Sequence, residues 1–180
     1  TEVRVSSYQA VSGTGQAGYD ELISQTQSYS KNPHPEAKAF AHPIVFNCIP
    51  QIGSFNDLGF SSEEMKIMQE TKKILSHSAL KVSAFTVRVP VLNAHAEAVW
   101  VTLDKEVTRE KVVEVLKTAE GLIVEDDLKT STYPLQNKVS GQNPVHVGRI
   151  HRDLEDPKTW LMWVVADNIR KGAALNGIQI

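Results

Sequence analysis

The sequence is organised around the stretch Val87-Arg88-Val89-Pro90-Val91-Leu92-Asn93-Ala94-His95-Ala96-Glu97. From Lys81 onward, apolar residues alternate with others, and this period of two in a β-branched run predicts a strand with one buried face. Arg88 falls on the side opposite the valines, and Pro90 limits further ladder pairing. A turn through Asn93 leads to a second apolar run at residues 99–103. The stretch therefore predicts two neighbouring strands joined at a corner.

The predicted corner carries an arginine and a histidine. The planar guanidinium of Arg88 can clamp a carboxylate, and the imidazole of His95 can carry a proton near neutral pH. The simpler interpretation is that Arg88 is solvated on an open sheet face, which is the usual place for an arginine. The spacing alone leaves both interpretations open.

The composition narrows the class of protein. The 180 residues, 41% hydrophobic and 22% charged, fit one soluble globular domain. The net charge of −2 and the scattered basic residues give no reason to expect nucleic acid or an anionic membrane as a partner. No apolar segment approaches the ~18 residues that a membrane span needs. Because the chain opens inside strand-like sequence, we expect it to be cut from a longer protein.

Cys48 is the single cysteine, so no internal disulfide can form and a cysteine-based zinc site is very improbable. This composition fits a reducing, cytoplasmic setting. The apolar neighbours of Cys48 predict a small buried hydrophobic residue rather than a nucleophile. We expect no metal site, since the adjacent carboxylates of Asp126 and Asp127 would point to opposite faces of a strand.

A glycine pattern follows the first predicted strand, residues 2–8. Gly13, Gly15 and Gly18 match the G-x-G-x-x-G spacing of dinucleotide-binding loops. The acidic residue at the required distance, Glu36, lies in a proline-broken loop rather than at the end of a second strand, so the full fingerprint fails. The glycines still predict a close approach of the backbone to a ligand.

The clearest helix begins at Ser61, which has capping-box spacing to Glu64, and runs to about residue 76. An apolar stripe is predicted to face the core; it comprises Met65, Ile67, Met68, Thr71, Ile74 and Leu75. Glu63 and Lys66 belong to a charged stripe, for which a surface ladder of ion pairs is the simplest interpretation.

The remaining segments complete an alternating pattern. Residues 108–119 predict a helix with Val112, Val113, Val115 and Leu116 inward, and residues 129–144 predict a long loop. Residues 145–153 alternate like a strand, and the almost continuously apolar residues 160–166 predict a strand buried on both faces. A closing helix is predicted from Gly172 to the end of the chain.

Five separated blocks, in this order, resemble the aspartate-semialdehyde dehydrogenase family, and the resemblance spans essentially the whole chain. The blocks are Ser7-Tyr8-Gln9-Ala10-Val11-Ser12-Gly13, Phe46-Asn47-Cys48-Ile49-Pro50, Glu63-Glu64-Met65-Lys66, Arg88-Val89-Pro90-Val91 with His95, and Asp167-Asn168-Ile169-Arg170-Lys171-Gly172-Ala173-Ala174-Leu175-Asn176. They correspond only to that family's C-terminal substrate-binding and dimerisation domain. The family interconverts aspartyl phosphate and aspartate semialdehyde with NADP, at an early branch of lysine, methionine and threonine synthesis.

The resemblance implies a role for each matching residue. Arg88 would hold the substrate carboxylate, Glu63 its ammonium and Lys66 the phosphate, which changes the interpretation of the charged helix stripe. His95 would act in acid/base catalysis, and Gln9 would position the bound intermediate. The cofactor-binding residues near the nicotinamide would be Ser12, Gly13 and Asn168.

The resemblance also implies what is missing. In the family, an Asn-Cys motif upstream of the Gln9 position supplies the nucleophilic cysteine, and most of the NADP is bound by an N-terminal nucleotide-binding domain. Asn47-Cys48 does not replace that motif. We therefore expect residues 1–180 to be one domain, inactive by itself. Two alternatives remain, a non-catalytic dimerisation relative and a sister reductase acting on acetylglutamyl phosphate.

The fold expected from these elements is α+β, with a mixed, largely antiparallel sheet like the C-terminal domain of glyceraldehyde-3-phosphate dehydrogenase. Helices would cover mainly one face. The other face, with the 129–144 loop nearby, would pair with a second copy, giving a homodimer or a dimer of dimers.

Overall fold

The structure, a computed structural model, describes residues 1–175 and 177. Six strands form one sheet in the order β2-β1-β3-β6-β5-β4. The strands are β1 (Glu2–Gln9), β2 (Lys81–Arg88), β3 (His95–Thr102), β4 (Leu122–Val124), β5 (Val145–Arg152) and β6 (Thr159–Ala166). The helices are α1 (Gln16–Ser28), α2 (Ser62–Ile74), α3 (Arg109–Thr118) and α4 (Gln136–Val139), with a 3-10 turn at Val11–Thr14 and a π-type turn at Arg170–Ala174.

The sheet is mixed, as predicted. The pairs β1–β2 and β4–β5 are parallel, whereas β1–β3, β3–β6 and β5–β6 are antiparallel. Consecutive strands 2 and 3 do not pair with each other, because β1 lies between them. The predicted strand corner is therefore a connection that crosses over β1, and it brings Arg88 and His95 to the same end of the sheet on either side of Gln9.

Two helices cover one sheet face, which we call face A. Helix α2 packs on β2, and α3 packs on β4 and β5 over a core that includes Val147, Ile150 and Trp160. On the opposite face, face B, the short α4 is the one helix of the described residues that packs on the sheet, near the end of β6. The expectation of helices mainly on one face is confirmed.

The buried side of β2 is the side that carries Arg88, not the open face that the valine pattern suggested. Thr86 and Arg88 are buried on face A, while Phe85 on face B is 55% exposed. The reason is tertiary, since α2 lies across the Thr86 side. On β6, Trp160 is buried on face A, whereas Trp163 is only half-buried on face B. The prediction that this strand is buried on both faces is therefore wrong.

Several local predictions need correction. Cys48 is exposed, because the chain turns outward between the buried residues Val45 and Ile49. In the predicted apolar stripe of α2, Ile74 and Leu75 are exposed, and Val115 of α3 is exposed as well. The predicted 129–144 loop contains α4.

The capped helix starts are confirmed at Ser61 and Thr108, whose side chains accept the backbone N–H of Glu64 and Lys111. Of the predicted closing helix, residues 176 and 178–180 lie outside the described residues. No helix in the described part of the chain is long and apolar enough to cross a bilayer.

Candidate active site

Arg88 is anchored at the end of β2. Its backbone N–H and carbonyl both pair with Ile49, at 2.8 and 2.9 Å, and Nη1 donates a 2.6 Å hydrogen bond to the carbonyl of Ala10. The residue is only 5% exposed. Burial lowers the pKa of Arg88, and the nearby Glu63 carboxylate partly offsets that effect. The guanidinium is thus a buried cation with a fixed plane, which suits the recognition of a carboxylate.

Gly13 brings Arg88 and His95 together. A Cβ atom built on Gly13 would lie 2.8 Å from Nη1 of Arg88 and 3.3 Å from Cε1 and Nε2 of His95. The guanidinium and the imidazole therefore contact the same point of the backbone. The close approach expected from the glycine pattern occurs here, although the groups approached are side chains of the same chain.

His95 is held as a neutral imidazole. Its Nδ1 accepts the backbone N–H of Ala10 at 3.1 Å, so the neutral ring carries its proton on Nε2. The pKa of His95 is lowered to about 4, chiefly by burial and next by the charge of Arg88, with a smaller contribution from Lys66. The Ala94 carbonyl and the Asp167 carboxylate oppose these effects. At neutral pH, Nε2–H is a hydrogen-bond donor next to the Arg88 guanidinium.

The first turn of α2 supplies the opposite charge. Glu63 accepts a 3.3 Å hydrogen bond from Nε2 of Gln9 on β1, and its other oxygen lies 3.6 Å from Nζ of Lys66. Gln9 and Arg88 are register partners on adjacent strands. Gln9, Arg88, Glu63, Lys66 and His95 thus converge on one end of face A, as the resemblance predicts.

Glu64 explains why α2 begins at that position. Its Oε2 accepts the backbone N–H of Ser61 at 2.8 Å and completes the capping box, while its Oε1 accepts the backbone N–H of Thr86 at 3.0 Å. A second link joins the hydroxyl groups of Ser61 and Thr86 at 3.2 Å. The capping pattern was visible in the sequence, but the link to the strand beside Arg88 was not.

The predicted cofactor residues form a second cluster near the same end. Oγ of Ser12 lies 3.0 Å from Oδ1 of Asn93 and 3.2 Å from Oδ1 of Asn168, and donates its proton to one of them. Oδ1 of Asn168 also accepts the backbone N–H of Ala94, the residue before His95. The Ser12–Gly13 backbone, the Asn93 turn and the loop after β6 are therefore one connected unit.

Asp167 ties this unit together and was not singled out from the sequence. Its Oδ2 accepts Nδ2 of Asn93 at 2.8 Å and the backbone N–H of Gly141 at 2.6 Å, and its Oδ1 accepts the backbone N–H groups of Ile169 and Arg170. These donors lower its pKa even though burial opposes them. Its position directly before Asn168, in a block that carries the family resemblance, was the available signal.

Comparison with known proteins gives a consistent picture. The family model for the semialdehyde dehydrogenase dimerisation domain matches residues 1–171. The aspartate-semialdehyde dehydrogenase of Aquifex aeolicus is 44% identical over 179 residues, which are 99% of this chain and 53% of the relative. That of Bacillus subtilis is 41% identical over 187 residues, with 99% and 54% covered. The chain spans about half the length of the curated relatives it matches.

Solved structures agree with the fold. Aspartate semialdehyde dehydrogenase II of Vibrio cholerae, solved complexed with ASA, superposes with a TM-score of 0.92 at 41% identity, covering 99% of this chain and 52% of that one. The Candida albicans enzyme, solved with NADP, superposes with a TM-score of 0.63 at 22% identity, covering 93% and 45%. The second likeness concerns the fold alone.

Proposed function

Because the chain belongs to the semialdehyde dehydrogenase family and matches its dimerisation domain, we propose that it is the substrate-binding and dimerisation half of an aspartate-semialdehyde dehydrogenase. The complete protein would convert aspartate semialdehyde, NADP⁺ and phosphate into aspartyl phosphate, NADPH and a proton, and the reverse. The supporting observation is the convergence at Gly13 of a buried guanidinium and a neutral imidazole, with Glu63 and Lys66 alongside.

Each charge matches one part of the substrate. Arg88 binds the α-carboxylate, because its planar fork is fixed by Ala10 and cannot turn away. Glu63 binds the ammonium, and Lys66, which is more exposed, binds the incoming phosphate as a compact charge. A free amino-acid head group therefore fits this site better than an acetylated one, which would leave Glu63 without a cationic partner.

His95 acts from its Nε2 side. The hydrogen bond from the backbone N–H of Ala10 to Nδ1 fixes the ring. Nε2–H can then donate to the substrate oxygen that gains negative charge, and the imidazole is neutral again at the end of the reaction. Gln9 is held by Glu63 and positions the acyl group between the strand end and His95. These roles are proposals from geometry and family likeness together.

Ser12, Gly13 and Asn168 fit the nicotinamide end of NADP. Oγ of Ser12 lies within hydrogen-bond distance of Asn168, and the backbone of Gly13 lies against Arg88 and His95. A nicotinamide ring bound at this backbone would therefore lie beside the proposed catalytic residues. NADP⁺ supplies a hydride acceptor there. The remainder of the cofactor would be held by an N-terminal nucleotide-binding domain.

Cys48 does not serve as the nucleophile in this proposal. Cys48 is exposed on the outward turn before Ile49. Arg88, which pairs with Ile49 through its backbone, is buried. The covalent step would use a cysteine of the upstream domain. The isolated chain is therefore expected to be inactive. We place the complete enzyme in the cytoplasm because the single cysteine of this chain, which has no disulfide partner within it, suits a reducing compartment.

Face B is the proposed dimer surface. Among residues 1–175 and 177, α4 is the one helix that covers it, and it presents half-buried or exposed apolar side chains at Phe85, Leu161 and Trp163. A second copy packed there about a two-fold axis would bury this surface without touching the catalytic end of face A. A dimer of dimers would need a further surface.

The test is an assay of the complete protein. NADPH formation should depend on both aspartate semialdehyde and phosphate, and the Arg88→Ala variant should lose it while still binding NADP. Activity with acetylglutamate semialdehyde instead would favour the sister reductase, and no activity with either would favour the non-catalytic relative. A role in lysine, methionine and threonine synthesis is then checked by complementation of an auxotroph.

A further inference from the structure

Glu97 is an acidic residue on face A, and none of the roles proposed above involves it. It lies on β3 two residues after His95, and alternation along the strand places both side chains on face A. Two residues along a strand correspond to roughly 6.8 Å. Glu97 is therefore a near neighbour of the proposed catalytic end of the sheet.

The strand register shows what surrounds Glu97. The row of face A at the strand ends contains Arg88 and Gln9, which are register partners. His95 continues this row, one register step beyond the last pair of β1 and β3. The next row contains Thr86, Ser7, Glu97 and Val164 as successive register partners. The row after that is apolar, with Ala84, Val5, Val99 and Met162. Glu97 is therefore the last charged group before the apolar core.

Ser7 adds an independent observation. Its hydroxyl oxygen is fully buried and has no hydrogen-bond partner among the residues that the structure describes, although Ser7 lies directly opposite Glu97. Cross-strand neighbours of this kind have Cβ atoms about 4.5–5.5 Å apart. Buried polar atoms are almost always paired in folded proteins. A polar group that needs a partner thus lies next to Glu97 on the neighbouring strand β1.

Glu63 approaches the same place from α2. Its contact with Gln9 puts it above β1, the strand next to β3. Burial raises the pKa of Glu97, and the Glu63 carboxylate raises it further. Two carboxylates that repel each other next to a carboxylate-binding arginine call for a cation between them.

We propose that Glu97 is a second carboxylate of the ammonium subsite and that it acts with Glu63 to bind the free α-amino group of the substrate. The inference rests on the proposed function and deepens it. When Arg88 holds the α-carboxylate, the ammonium is attached to the neighbouring carbon and must lie within the same few ångströms. An ammonium has three N–H donors, and both oxygens of Glu63 already have neighbours, Oε1 accepting from Gln9 and Oε2 lying 3.6 Å from Nζ of Lys66. A desolvated ammonium therefore needs acceptors in addition to Glu63.

The alternative ligand chemistry is a metal ion. Among residues 1–175 and 177, no group of three or more histidine, cysteine, aspartate or glutamate side chains is arranged to hold a metal. Two carboxylates near the Arg88 guanidinium suit a zwitterionic amino acid, which carries one cationic and one anionic group on the same carbon.

The test compares two substrates in the complete enzyme. Glu97→Gln keeps the size of the side chain and removes its charge, and Glu106→Gln, at an exposed position before α3, is the matched control. Aspartate semialdehyde carries the α-amino group, and succinate semialdehyde lacks it. We expect Glu97→Gln to raise KM for aspartate semialdehyde about tenfold with kcat changed less than threefold, and to leave KM for succinate semialdehyde within twofold.

A structural role would give a different result. If Glu97→Gln raises KM for both substrates by the same factor, or raises neither KM, the proposal is overturned. Where turnover of succinate semialdehyde is too slow to follow, its inhibition constant against aspartate semialdehyde gives the same comparison. A wild-type enzyme without activity on aspartate semialdehyde would instead overturn the proposed function, and this inference with it.

Two further measurements exclude a folding defect. The melting temperature of Glu97→Gln should equal or exceed that of the wild type, because a buried carboxylate is lost. Glu97→Asp keeps the charge on a shorter side chain, so its KM for aspartate semialdehyde should lie between those of the wild type and Glu97→Gln. Failure of this conservative variant to recover any affinity at an unchanged melting temperature would contradict a charge-based role.

Discussion

The backbone N–H of Ala10 donates to Nδ1 of His95 at 3.1 Å, while Nη1 of Arg88 donates to the carbonyl of the same Ala10. One peptide segment after β1 thus fixes both the catalytic ring and the guanidinium. Protonating Nδ1 would break the first bond and place a second cation beside Arg88. Burial and, next, the charge of Arg88 lower the pKa of His95 to about 4. The bond from Ala10 requires the same neutral ring.

The first prediction concerns pH and stability. His95 takes up a proton near pH 6.5 in the unfolded chain but only near pH 4 in the folded one, so its effect on folding is constant above 6.5. As pH falls from 6.5 to 4, the free energy of unfolding of the wild type should drop by up to about 3 kcal/mol relative to His95→Asn. Below pH 4, the two should run parallel. Urea unfolding of the purified chain at pH 7, 5.5 and 4 measures this, and parallel curves throughout would contradict it.

The second prediction uses the close approach at Gly13. In Gly13→Ala, the new methyl group would lie 2.8 Å from Nη1 of Arg88, so the guanidinium or the turn must shift. We expect kcat/KM of the complete enzyme to fall at least tenfold, since a small misplacement of catalytic groups is costly. Gly172→Ala is the control, because a Cβ atom added there would have open space, with no non-neighbouring atom of the described residues within 4 Å. Equal activity of the two variants would argue against the contact.

The third prediction separates charge from shape at Arg88. Arg88→Lys keeps the charge but loses the planar fork and the bond to Ala10. Loss of hydrogen bonds to a charged group costs about 1.5–3 kcal/mol, so kcat/KM for aspartate semialdehyde should fall about 10- to 150-fold. The KM for NADP should stay unchanged. Arg152→Lys, at an exposed position on β5, should behave like the wild type.

The fourth prediction tests face B. Leu161→Glu puts a charge in the middle of the open sheet face, next to Trp163 along β6, where a second copy would pack. The solution mass should change from a dimer to a monomer, because a buried unpaired carboxylate is strongly unfavourable at an interface. Leu154→Glu, at a residue 99% exposed in the loop before β6, should remain dimeric. A dimer in both variants would place the interface elsewhere.

Local patterns predicted the elements well, and the site in part. The alternation around Arg88 and the capping box at Ser61 depend on neighbours in sequence, so both were visible. The buried side of β2 was not, because it depends on α2 packing across it from elsewhere in the chain. Cys48 was misjudged for the same kind of reason, since its apolar neighbours Val45 and Ile49 are buried while the turn between them is not.

Convergence of the site residues depends on β1 lying between β2 and β3, which no local pattern shows. The family resemblance supplied that long-range information for Gln9 and Glu63. It did not single out Glu97 or Asp167, whose partners become apparent only from the strand register and the hydrogen bonds of the folded chain.

The last prediction concerns Asp167, whose hydrogen bonds connect the Asn93 turn, the loop at Gly141 and the loop after β6. Its two oxygens accept from Asn93, Gly141, Ile169 and Arg170, so all four contacts require an acceptor. Asp167→Asn replaces one oxygen by a donor, which would face one of these N–H groups. We expect the free energy of unfolding to fall by about 1–3 kcal/mol. Because Asn93 and Asn168 contact Ser12, the KM for NADP should rise more than the KM for aspartate semialdehyde. Asp153→Asn, at a residue that caps the turn before β6, is the control for loss of a similar loop contact far from the site, and should lower stability without changing either KM.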